Sequence, residues 1–108
     1  MNTSSLPWKV LSAQAGASVL TDGWNLATLE ADVEVTRSFS VEVVFDAPFQ
    51  SAPVVHIGLT GFDVDQRDSA RLKVQATSIS ESGFNAVIST WSNTRVYAVE
   101  FQWMAIGA

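Results

Sequence analysis

Residues 38–45 read S-F-S-V-E-V-V-F. On an extended chain Phe39, Val41, Val43 and Phe45 fall on one side, and Ser38, Ser40 and Glu42 on the other. Alternation of this kind marks a strand with one buried face. Asp46-Ala47-Pro48 then supplies a break, because proline cannot donate to a ladder and aspartate favours turns.

The same period recurs downstream. In P-V-V-H-I-G-L-T-G, from Pro53, the residues Val55, Ile57 and Leu59 point one way, and Val54, His56, Gly58 and Thr60 the other. R-L-K-V-Q-A-T sets Leu72, Val74 and Ala76 inward and Arg71, Lys73 and Gln75 outward. Ser80-Glu81-Ser82-Gly83 is a turn by composition, with a strand expected over 84–91. A last strand is expected over 96–106, with Tyr97, Val99, Phe101 and Trp103 on one face. Its other face carries Val96, Ala98, Met104 and Ile106. A strand apolar on both faces is buried on both. Phe101 and Trp103 are read as sandwich core.

Residues 1–36 are less regular. A short strand is expected over 8–11. Turns are expected at 16–22 and at Gly23-Trp24-Asn25, around another short strand. Short strands at regular spacing, with turn signals and no helical period, predict one all-β domain over 1–108, an antiparallel sandwich or barrel.

The 108 residues include only 16% charged side chains against 47% hydrophobic ones, below the ~25% charged that is usual. Sparse charge on so small a chain predicts a surface covered by another subunit. The net charge is −5, and Lys9, Arg37, Arg67, Arg71, Lys73 and Arg95 are scattered. Nucleic acid and anionic membranes, which need clustered cations, are therefore not expected as partners. No stretch approaches the ~20 apolar residues of a membrane span. The start, M-N-T-S-S-L-P-W-K-V, lacks a basic segment followed by an apolar run, so no signal peptide is expected. The compartment stays open, and export would follow another route or occur as part of a particle. Without cysteine there is no disulfide and no thiolate metal site.

Asp63, Asp65 and Asp68 offer oxygen ligands for calcium, but the spacing lacks the glycine and closing glutamate of a calcium loop. Arg67 and Arg71 lie beside them, and salt-bridged carboxylates are the favoured reading. His56, the single histidine, stands in mid-strand without an evident catalytic partner. No nucleophile elbow, phosphate loop or zinc motif occurs. An enzyme is not expected, and no cofactor. The remaining constellation is W-S-N-T-R-V-Y, 91–97, together with Arg71. It joins aromatic surfaces to directed hydrogen-bond donors and acceptors, the two kinds of group that hold a sugar. Its rival is a polar hairpin flanked by two core aromatics, which the pattern alone favours.

The runs P-V-V-H-I-G-L-T-G-F-D-V-D, R-L-K-V, G-F-N-A-V-I-S-T-W-S-N-T-R-V-Y and W-M-A-I-G, in this order, resemble the H-type lectin domain. This is the family of snail agglutinins and of the discoidin carboxy-terminal domain. The resemblance is close from residue 39 to residue 107 and weak over 24–36. It implies an antiparallel β-sandwich of about six strands, assembled as a homotrimer and in some relatives as a hexamer. It implies metal-free binding of galactose-type sugars, N-acetylgalactosamine above all, at shallow sites between subunits. By the same resemblance Arg71 hydrogen-bonds sugar hydroxyls. Trp91 and Ser92, with Asn93 in the same loop, line the site, and Tyr97 comes from the neighbouring subunit. Glu34, or Asp32 after a small shift, would be the acidic residue that reads the axial hydroxyl. Two positions depart from the pattern. Ser92 stands where snail proteins often carry a histidine and cannot stack on a ring, and Glu34 is one methylene longer than the usual aspartate. Beside the lectin stands a second reading, a structural trimerisation or adhesin module whose sugar site has decayed.

Overall fold

The computed structural model describes residues 8–28, 35–65, 67 and 69–108. These form six strands: β1 Lys9–Ser18, β2 Arg37–Val44, β3 Val54–Val64, β4 Lys73–Thr77, β5 Gly83–Thr90 and β6 Val96–Gly107. Two three-stranded antiparallel sheets, β1-β6-β3 and β2-β5-β4, face each other as a sandwich. No helix occurs among the described residues.

The expected alternation holds best in β2. Phe39, Val41 and Val43 stand in register with Ile88, Ala86 and Phe84 and pack into the core. Leu72, Val74 and Ala76 reach the core from the other side of β5, although Arg71 and Leu72 precede β4 rather than belong to it. At one end Phe45, Phe49, Phe84 and Trp103 form a ring cluster with centroids 5.2–6.0 Å apart. Offset and edge-on rings at such spacings add to their area burial. Lys9 closes this end with its ammonium 4.5 Å from the Phe49 ring centroid. Between β4 and β5 a glycine is required at Gly83, where a Cβ would lie 2.2 Å from the Val43 carbonyl oxygen.

β1 corrects the expectation for the amino-terminal part. Instead of two short strands interrupted by turns, one ten-residue strand runs through Gly16 to Ser18. Its inward row is Leu11, Ala13, Ala15 and Ala17, opposite Ala105, Trp103, Phe101 and Val99. Three alanines facing large partners satisfy the packing but write a weak hydrophobic pattern, so the period was hidden.

Two phase slips correct the carboxy-terminal reading. In β3, Leu59 pairs with Phe101 but Gly61 pairs with Glu100, so Thr60 is an extra residue; beyond it Val64 packs against the core, whereas Phe62, opposite Val99, stays exposed. In β6, Ala98 pairs with Asp63 and Val96 with Val64, which leaves Tyr97 as the extra residue. Val96 is therefore fully buried with Val99 and Phe101, not on the outer face, and Tyr97 leaves the core row and is half-buried. Bulges re-aim side chains in this way. Ala98, Met104 and Ile106 do lie on the outer row, as expected, and Phe101 and Trp103 are core.

Candidate functional site at the turn between β5 and β6

Residues 91–95 connect the two sheets at one end of the sandwich. Ser92 takes a left-handed backbone with φ 59°, a conformation that costs a residue bearing a Cβ and needs support from its surroundings. Arg37 supplies that support. The inward row of β2 continues from Phe39 to Arg37, in register with Thr90, so the guanidinium is buried, 3% exposed. It donates from Nη2 to the Ser92 carbonyl at 3.1 Å and the Thr94 carbonyl at 2.8 Å, and from Nη1 to the Thr28 carbonyl at 2.7 Å. A buried cation is tolerable only when its donors are used in this way.

Arg37 ties the turn to residues 24–28 as well. In that segment Leu26 is fully buried, and its carbonyl accepts from Val96 N at 2.8 Å, while Trp24 Nε1 donates to the Val96 carbonyl at 2.8 Å. No motif flagged Arg37. Its signal was the β2 alternation itself, which extends two positions back to a charged residue on the core face.

Two threonines fix Arg71 against the same turn. Thr90 Oγ1 donates to the Arg71 carbonyl at 2.5 Å, and Arg71 N donates to Thr94 Oγ1 at 3.2 Å. Thr94 Oγ1 in turn donates to the Ser69 carbonyl at 2.9 Å. Both threonines are buried. The Arg71 side chain then donates from Nη1 to the Ser69 carbonyl at 3.1 Å and to Asn93 Oδ1 at 3.4 Å. The Trp91 ring, first residue of the turn, is 37% exposed. Arg71, Trp91, Ser92 and Asn93 thus converge on one small surface. A guanidinium meets an amide there, and the exposed Trp91 stands two positions before that amide in the same turn.

Tyr97 lies elsewhere. Carried off the core row by the bulge, it sits at the start of β6, where its carbonyl accepts from Val19 N at 3.0 Å. Arg67 and Asp65 form an ion pair: Arg67 N and Nε donate to Asp65 Oδ1 at 3.0 and 3.1 Å, and Nε and Nη2 donate to Oδ2 at 3.0 and 2.5 Å. The side-chain hydrogen bond from Arg67, then its backbone N–H, holds the Asp65 carboxyl down at about 2. The same partner raises Arg67. This is the salt-bridged reading of the acidic stretch, realised for Asp65. Asp68, and the two candidate acidic sugar contacts Glu34 and Asp32, lie outside the described residues. His56 stands exposed on the outer row of β3, in register with Met104.

Known proteins give a consistent picture. A curated relative from Fuscovulum blasticum, described as ATP synthase subunits region ORF 7, is 36% identical over 72 residues, which are 67% of this chain and 63% of that protein. Two solved structures of discoidin II from Dictyostelium discoideum, one of the native recombinant protein and one of the wild type, superpose with TM-scores of 0.76 and 0.77 at 22% identity. They align with 98% and 99% of this chain, which spans 39% of theirs. The sandwich is thus shared with discoidin II. The sequence pattern of the H-type lectin domain matches residues 40–106, from β2 almost to the end of β6. The chain belongs to the H-type lectin domain family.

Proposed function

We propose that this domain is a multivalent carbohydrate-binding protein that takes galactose-type sugars, such as N-acetylgalactosamine, at shallow sites between neighbouring subunits of a homotrimer. The observation that carries this reading is the state of Arg71. Its backbone is pinned on both sides by buried threonines, and its guanidinium is presented to Asn93, in the turn that the exposed Trp91 opens. Preorganised donors next to an aromatic plane suit a sugar ring, whose hydroxyls need directed hydrogen bonds and whose C–H face needs an apolar surface. Tyr97 lies away from this cluster in its own chain, which agrees with its being the wall that a neighbouring subunit supplies. Glu34 or Asp32 is the proposed reader of the axial hydroxyl.

The outer row of β1-β6-β3 supports assembly. Val10, Val54, Met104 and Ile106 lie together there, with Val10 and Val54 both in register with Ile106. Val10, Val54 and Met104 are exposed in the single chain, and such a patch is normally covered. Each site, with few buried atoms, would be weak alone. Several sites facing one glycan-rich surface would raise avidity by ~10²–10⁴. The test is a glycan array read with wild type and Arg71→Ala. Wild type should bind terminal galactose-type sugars, and Arg71→Ala should lose them; equal binding by both would sink the proposal.

One observation favours the alternative, a structural trimerisation or adhesin module with an altered sugar site. Ser92 offers no ring, and its carbonyl is already taken by Arg37. A trimer in light scattering with no saturable sugar binding by calorimetry would select that reading.

A further inference from the structure

Four of the six Lys and Arg residues of this acidic chain, Arg37, Arg67, Arg71 and Arg95, stand at the end of the sandwich that holds the candidate site, and Arg37 is buried beneath its turn. Arg71 belongs to the cluster already described. Arg67 and Arg95 belong to the other half, beside Tyr97. Asp65 N donates to the Arg95 carbonyl at 3.0 Å, one step beyond the pairing of Val64 with Val96, so Asp65 and Arg95 lie across from each other at the bulge that displaces Tyr97. The Arg67 side chain is 76% exposed, but its orientation is set by the hydrogen bonds to a carboxylate only 17% exposed. The Arg95 guanidinium is half-buried and engages no side chain or carbonyl among the described residues. Among the described residues, Asp65 is thus hydrogen-bonded by Arg67 and feels Arg95 through space, so two guanidiniums share one carboxylate at this bulge. Asp63, the nearest other described carboxylate along β3, lies on the outer row opposite Ala98.

We propose that Arg67 and Arg95 form a second recognition arm, carried with Tyr97 into the neighbouring subunit's site, that selects sugars bearing a carboxylate. This rests on the inter-subunit sugar site proposed above. Arg71 and Asn93 would take ring hydroxyls, while the arm on the adjoining subunit meets the carboxylate. A planar guanidinium matches a planar carboxylate with two parallel hydrogen bonds, which a neutral hydroxymethyl group cannot accept. Asp65 holds Arg67 in place without removing all its donors, so less freedom is lost on binding.

The probes are a galacturonic acid trisaccharide, a neutral galactose trisaccharide of the same linkage, and galactose 6-sulfate, titrated calorimetrically into the full chain. The acidic trisaccharide should bind about fivefold or more tightly than the neutral one at low salt, and the preference should shrink as ionic strength rises. Arg95→Gln, which removes no hydrogen bond or ion pair of its side chain among the described residues, should abolish the preference and leave neutral binding within about twofold. Arg67→Gln should do the same. Neutral binding with no acidic preference in wild type overturns the recognition arm and leaves the sugar site standing. So does a preference that survives both substitutions, or one for the sulfate alone. Failure of every probe to bind overturns the sugar site itself and the arm with it.

Discussion

Arg37 Nη2 lies 2.8 Å from the Thr94 carbonyl oxygen, although fifty-seven positions separate the two residues in sequence. The bond joins the first residue of β2 to the turn before β6, across the interior of the sandwich. The same nitrogen reaches Ser92, so the one left-handed residue of that turn is held from beneath. Through this contact the core of the fold and the shape of its candidate binding surface become one problem.

Replacing Arg37 with methionine should therefore cost far more than a surface arginine would. The side chain keeps much of its volume, but three carbonyls lose their donor in a buried place. A loss of about 2–4 kcal/mol is expected in urea unfolding. The loop should also loosen, so sugar affinity should fall together with stability. A substitution that leaves the midpoint unchanged would contradict the role assigned to this residue.

Thr94→Val separates positioning from packing. Valine keeps the shape but removes one donor to the Ser69 carbonyl and the acceptor of Arg71 N. Stability should drop by about 1–2 kcal/mol. Affinity for a galactose-type sugar should weaken about threefold to tenfold, because Arg71 loses one of its two backbone anchors. Thr94→Ser, which restores the hydroxyl, should recover most of the binding.

The Asp65–Arg67 pair makes a pH prediction whose sign follows from its depressed carboxyl. The folded value, about 2, lies below the ordinary aspartate value of 3.8. The pair's contribution to stability is thus present above the unfolded value and is lost as pH falls through the folded one. In a carboxyl-detected NMR titration Asp65 should titrate near 2. In Arg67→Gln it should move up toward the ordinary aspartate range. An unchanged midpoint in that variant would show that Arg67 does not hold the carboxylate.

Met104→Lys tests the covered outer face. Met104 is exposed in the single chain and sits in mid-row on β6, so lysine should be tolerated by the isolated fold. Copies brought together through that face would bury an unpaired ammonium in each subunit. Light scattering should show assembled wild type and a variant of single-chain mass with an unaltered β-sheet circular dichroism spectrum. An assembled variant would place the subunit contact on another surface.

The amino-acid sequence by itself determined the fold class and most of the strands. Phe39 to Val43 alternates without interruption, and a period of two is a local property that needs no knowledge of partners. It also marked Arg71, Trp91, Ser92 and Asn93, because the turn that joins them is short and Arg71 lies one strand away. What it did not determine depends on register and on distant acceptors. Tyr97 and Val96 exchange roles because a bulge opposite Asp63 and Val64 shifts the phase of β6 by one residue, and a one-residue slip turns side chains to the other face. Arg37 becomes a core residue because the carbonyls that satisfy it come from Thr28, Ser92 and Thr94, which only the closed sandwich brings together. Periodicity is written into neighbouring residues, whereas the hydrogen-bond partners of a buried charge are supplied by the tertiary fold.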